Sequence, residues 1–142
     1  MGGFRVMYLL DTDLLSQATK DTPNERAMAW LAGVPRQMTR LSVVSLQEIQ
    51  TGIDILVQGP KRRGLELWFA EKVLAGFAGR IYSIDIEIAR DCGHLLADSR
   101  KASHTAHLGD ALIAATARVH GLSLATLNRK HFAHFDVDLA DF

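Results

Sequence analysis

Short apolar runs recur along the chain, each closed by polar residues and followed by a stretch where apolar positions return every three or four residues. The run Arg5–Leu10 (RVMYLL) is aliphatic and aromatic and stops on Asp11, which predicts a buried strand. Asp13–Thr19 and Asn24–Leu31 read as short helices, with Thr22 or Asn24 available to cap the second. Pro35 breaks the chain, and Leu41–Val44 (LSVV) is a second strand. From Ser45 a helix carries Leu46, Ile49, Ile53, Leu56 and Val57 on one stripe, until Gly59-Pro60 ends it. A further helix over Arg63–Phe77 turns Leu65, Trp68, Phe69, Val73 and Phe77 toward a core and stops at Gly79. Ile81–Ile84 is a third strand, Ile86–Ser99 a helix, and Arg100–Leu108 a histidine-rich loop. Gly109–His120 is apolar or small on nearly every face, the pattern of a buried helix, and Gly121 closes it. Ser123–Thr126 is a fourth strand, Arg129–Phe132 a turn or short helix, and Val137–Leu139 is available as a fifth strand.

This alternation predicts an α/β fold: a parallel sheet of four to five strands flanked by helices and joined by right-handed crossovers. No repeat, low-complexity tract or linker interrupts it, so residues 1–142 read as one domain. Each helix then starts at the carboxyl edge of the sheet, where ligand sites form. The chain is 48% hydrophobic and carries 16 basic against 16 acidic residues, which excludes disorder and a protein that coats nucleic acid by bulk charge. Local contact with a few phosphates stays open. No apolar run approaches the roughly 20 residues that span a bilayer. Val6–Leu10 ends at once on Asp11 and is no signal-peptide core, and Val6 stands where a myristoylation signal at Gly2 needs Ser or Thr. Cys92 is the single cysteine, so neither a disulfide framework nor a thiolate zinc cage is expected. Cytoplasmic residence without membrane contact is the expectation.

The acids follow the strand ends. Asp11 and Asp13 come directly after the first strand, and Glu48 falls in the first turn of the helix after the second. Asp110 opens the buried helix that leads into the fourth strand, and Asn128 sits just past that strand. All map to one edge, provided the loop Arg100–Leu108 carries the chain back across the molecule; extended, it spans roughly 30 Å. Each acid also has a structural use. Ser45-Leu46-Gln47-Glu48 is a capping-box pattern, Asp110 complements a helix dipole, and Asp11 or Asp13 suits an N-cap. Together, however, the carboxylates repel one another, and Asp110 opens an otherwise apolar helix where an unpaired charge is unfavourable. A hard divalent cation, magnesium or manganese, resolves that repulsion.

The segments MYLLDTDLLS, SVVSLQEIQTGI, HLGDALIAATARVHGLSLATLN and NRKHF, in this order over nearly the whole chain, resemble the PIN-domain family. The likeness is to its VapC-type branch, the endoribonuclease toxins of bacterial toxin–antitoxin pairs. Its most specific part is the D-A-L-I-A-A-T-A run with its Gly turn, strand and Thr-x-Asn. The resemblance implies a three-layer PIN-like domain, a magnesium or manganese site, hydrolysis of RNA phosphodiesters, a homodimer and an inhibitory antitoxin. Residue by residue it implies Asp11, Glu48 and Asp110 as catalytic acids with Asn128 at the fourth position, and Asp11 and Asp110 as metal ligands. Thr12, Asp13 and Thr126 would orient waters or those carboxylates. Two positions depart from the family pattern: Asp13 stands where Asn or Ser is frequent, and neutral Asn128 argues against a second metal. His131 occupies a position where several members place Asp.

The implied reaction is in-line attack of water on RNA, the cation lowering the water's pKa and shielding the phosphoryl charge. Glu48 would bind the cation through water or accept the proton. Arg129 and Lys130 flank the site and are the RNA-contact candidates, whereas Lys61-Arg62-Arg63 and Arg100-Lys101 suit a solvated surface equally well. His104 and His107, and His131 and His134, have a zinc-site spacing but no Cys or Glu partner, so they read as solvated or structural, with His131 open because it lies near the site. His120 suits a helix C-terminus. Trp68 and Phe69 read as core, and part of the apolar helix surface as an antitoxin groove or dimer face. Two other functions fit the residues less well. A haloacid-dehalogenase-like phosphatase is suggested by Asp11-Thr12-Asp13 but opposed by Leu14-Leu15 and the lone Asp110, and a non-catalytic binding module on the same fold is the other.

Overall fold

The computed structural model of the chain describes residues 6–142. Four strands, β1 (Tyr8–Leu10), β2 (Thr39–Ser42), β3 (Ile81–Tyr82) and β4 (Ser123–Ala125), form a parallel sheet in the order β3-β2-β1-β4. Seven α-helices flank it: α1 (Thr12–Leu15), α2 (Glu25–Gly33), α3 (Val43–Ile55), α4 (Pro60–Trp68), α5 (Ile86–Lys101), α6 (Leu108–His120) and α7 (Arg129–Phe132). Successive residues of a strand face opposite ways, and β1 uses both faces. Leu9 packs on one side with Ile88 and Cys92 of α5, the small residues of α6, and Phe132. Leu10 packs on the other with Leu14, Ile49 and Ile53 of α3, Phe69 and Val73. The result is the expected three-layer α/β architecture.

The boundaries differ from the sequence pattern in ways that matter for the site. β2 stops at Ser42, and α3 begins at Val43 because the Ser42 hydroxyl accepts a hydrogen bond from Val44 N (3.1 Å). The branched pair Val43-Val44 looks like strand but opens the helix. At its other end α3 stops at Ile55, leaving Val57 87% exposed rather than on the buried stripe. The segment Val137–Leu139 does not form a fifth strand. It touches β4 at the single bridge between Leu124 and Leu139, because only Leu124 exchanges backbone bonds with it. Helix α4 runs on through a π-helical stretch, Phe69–Leu74, which buries Phe69 and Val73. Helices α5 and α6 each extend further than expected, so the connecting loop shrinks to residues 102–107, with Ser103 at φ +59°. Gly121, at φ +66°, ends α6 in the left-handed conformation and lets Leu122 N donate to Ala117 O (2.8 Å). The expected strand start at Arg5 lies outside the described residues.

Candidate active site

Asp11 leaves β1 at the carboxyl edge, and its N–H donates to Ala125 O of β4 (2.9 Å), which fixes the backbone there. Asp11 as a whole is 5% exposed. Oδ1 accepts from Thr12 N (2.9 Å) and Oδ2 from the buried Thr126 hydroxyl (2.7 Å), whose oxygen in turn accepts from Asn128 N (2.9 Å). Burial pushes the Asp11 carboxyl up to about pH 6; the charges of Asp110 and Glu48 add to the rise, and the Thr126 and Thr12 bonds oppose it.

The earlier start of α3 places Glu48 in its second turn, so the Ser45–Glu48 capping box does not form. Instead both side chains converge on Thr12. Its Oγ1 lies 2.7 Å from Glu48 Oε1 and 2.8 Å from Ser45 Oγ. A hydroxyl has one proton and a carboxylate only accepts, so Thr12 donates to Glu48 while Ser45 donates to Thr12. Asp110 is the third residue of α6 and keeps a side-chain exposure of 19%, less buried than an all-apolar helix suggested, with His131 Nδ1 at 3.5 Å from Oδ2. Asp13 accepts weakly from Asn128 Nδ2 (3.4 Å) and lies 4.0 Å from Lys20 Nζ.

Asp11, Thr12, Asp13, Glu48, Asp110 and Asn128 line one open cleft of about 500 Å³, joined by Ser16, His107, Gly109 and His131. A Cβ at Gly109 would stand 3.7 Å from Glu48 Oε2, so the start of α6 abuts that carboxylate. Thr126 lies behind Asp11. Arg129 is not brought to the cleft: Nη1 donates to Ala140 O (2.7 Å) and Nη2 lies 3.7 Å from Asp141, so it clasps the C-terminal segment. Lys130 lines an adjoining depression. Sequence reasoning missed Ser45, which it spent on a cap; the signal was Ser42, an alternative cap three residues earlier. It also missed His120's stacking on Tyr82, with ring centres 3.8 Å apart.

Among the described residues no three His, Cys, Asp or Glu side chains are grouped as a ready cage for a metal ion. The donor set still fits a small hard cation. Magnesium is commonly held by one or two carboxylates and keeps several waters, and Asp11 with Asp110 supplies that pair in a carboxylate-rich cleft whose buried member is driven toward protonation by burial first and by the charges of Asp110 and Glu48 in addition.

Fold and cleft together define the PIN-domain class. The chain belongs to the PIN-domain family, which matches residues 8–138. It is 32% identical over 136 residues to Toxin FitB of Neisseria gonorrhoeae, an alignment covering 96% of each chain. To Ribonuclease VapC10 of Mycobacterium tuberculosis it is 35% identical over 131 residues, covering 92% of this chain and 89% of the relative. The crystal structure of FitAcB from Neisseria gonorrhoeae superposes with a TM-score of 0.88 at 31% identity, over 95% of this chain and 97% of that one.

Proposed function

We propose that this protein is a divalent-cation-dependent endoribonuclease acting as the toxin of a toxin–antitoxin pair, with residues 1–142 working as one domain. The observation that carries this reading is the gathering of Asp11, Glu48 and Asp110 in one cleft, in a chain whose relatives are named toxin and ribonuclease. Asp11 and Asp110 are the residues to hold magnesium or manganese. When bound, such a cation lowers the pKa of a coordinated water and neutralises charge on the phosphoryl oxygens.

The chain's own groups do the rest. Thr126 and Thr12 N hold both Asp11 oxygens in one orientation, and Thr12 fixes Glu48 Oε1. That leaves Oε2, beside Gly109, as the acceptor for the proton of the attacking water. Asn128, tied to Asp13, orients water at the mouth of the cleft. Lys130 contacts the RNA, and Arg129 serves by anchoring the C-terminal segment. A cognate antitoxin, a homodimer and a cytoplasmic site of action complete the proposal.

Purified protein should cleave single-stranded RNA with magnesium or manganese and stop when a chelator is added, and Asp11→Asn should cleave at least about a hundredfold more slowly. Expressed alone, the wild type should arrest bacterial growth and Asp11→Ala should not. Undiminished cleavage in excess chelator, or equal arrest by both chains, overturns the reading.

A further inference from the structure

Beside the acidic cleft lies a second depression of about 240 Å³, walled by His104, His107, Asp110, Lys130, His131 and His134. His107, Asp110 and His131 line both hollows, so the two are continuous. Through-space pairing differs from the sequence spacing: the His104 ring centre lies 5.1 Å from that of His134, and the His107 centre 6.4 Å from that of His131. His134 Nε2 is buried and has no hydrogen-bond partner among the described residues. Helix α6 opens onto the same place, and His107 at its N-cap position offers no side-chain bond to the leading N–H groups. Imidazole donors, an uncapped start of a 13-residue helix and an ammonium are groups that bind an anion.

The main cleft needs such a neighbour. It presents four carboxylates to a polyanion. Lys20 lies 4.0 Å from Asp13 of the cleft, whereas Arg129 is held on the C-terminal segment. The imidazole N–H groups and the Lys130 ammonium of the adjoining depression are donors for a phosphate oxygen.

We propose that this imidazole-lined depression is a subsite for the phosphodiester group of the nucleotide next to the scissile bond. The assignment rests on the ribonuclease reading above. Its test uses a short single-stranded RNA that the wild type cleaves, with one linkage at a time replaced by an uncharged methylphosphonate. Neutralising one linkage adjacent to the cleaved bond should raise the wild-type KM about tenfold, the worth of a hydrogen bond to a charged group, with kcat changed less than about twofold. His104→Ala, at an exposed position, and the double variant His104→Ala with His134→Gln should raise KM on native RNA and show no further loss on the neutralised RNA. Lys101→Ala, on the exposed end of α5, should behave as wild type. If the histidine variants lose as much on neutralised as on native RNA, or match wild type on both, the subsite is overturned while the ribonuclease reading stands. If the wild type cleaves no RNA with either cation, the ribonuclease reading falls and the subsite with it.

Discussion

Asp11 is the buried acid of the cleft, not Asp110, and its surroundings set a testable pH dependence. In the unfolded chain its carboxyl titrates near 3.8; in the metal-free fold burial and the neighbouring charges raise it to about 6. An acid raised on folding binds its proton more tightly in the native state, so its contribution to stability is full below about 3.8 and is lost as pH rises through about 6. The size of that loss is about 3 kcal/mol, from the free energy carried by each tenfold change in proton affinity. Denaturant melts in chelator from pH 4 to 7.5 should show wild-type stability falling across this window relative to Asp11→Asn, which carries no titrating group there. Parallel curves for the two proteins would mean that the carboxylate is already compensated without a cation. Thr126 sharpens the comparison. Thr126→Val removes the donor to Oδ2 and should push the same fall to still higher pH.

At the scale of elements, the start of α3 decides whether Glu48 serves a cap or the cleft. Ser42 caps the helix through Val44 N at a fully buried position, so Ser42→Ala leaves that N–H without its partner. The change should cost about 1 kcal/mol and lower Tm by about 4 °C, with the KM of RNA cleavage unchanged. An unaltered Tm would return the capping role to Ser45. This boundary also marks where the sequence pattern stops being informative. The strands were legible because each apolar run ends in polar residues. The carboxylate edge was legible because parallel β/α alternation sends the residues after β1, the start of α3, the start of α6 and the residues after β4 to one side. Val43-Val44 misled because branched residues suit strands, and because Ser42 and Ser45 are equally good caps when only spacing is visible. The choice between them is made by Thr12, 33 residues before Ser45, which binds Ser45 and Glu48 together. The histidine pairs fail to appear for the same reason. Spacing joins His104 to His107, whereas the fold brings the loop before α6 to the residues after α7, where His104 meets His134. Arg129 was legible as a cation near the site, but not as the clasp of a segment that follows it.

Across the whole molecule, a formal charge of zero conceals a strong local imbalance: the carboxylates of Asp11, Asp13, Glu48 and Asp110 share one cleft. Without a cation these charges oppose folding, and a ligand that binds only the folded chain must therefore stabilise it. At a hundred times its Kd, magnesium should contribute about 2.7 kcal/mol, read as a rise in Tm. Asp110→Asn separates that effect from a structural one. The amide keeps the side chain's shape at the third position of α6 and removes one charge from the cleft. The contact it weakens, with exposed His131 at 3.5 Å, contributes little to stability. In chelator the variant should melt at the wild-type temperature or above it. In magnesium the wild type should gain more than the variant, and the variant should cleave no RNA. If Asp110 served only the helix dipole, the pattern would invert, because removing an acid from the first turn lowers stability by a few tenths of a kcal/mol to about 1 kcal/mol and has no reason to touch the chemistry. A variant that melts lower in chelator, gains as much from magnesium as the wild type and still cuts RNA would assign Asp110 to the start of the helix and leave Asp11 and Glu48 to hold the cation.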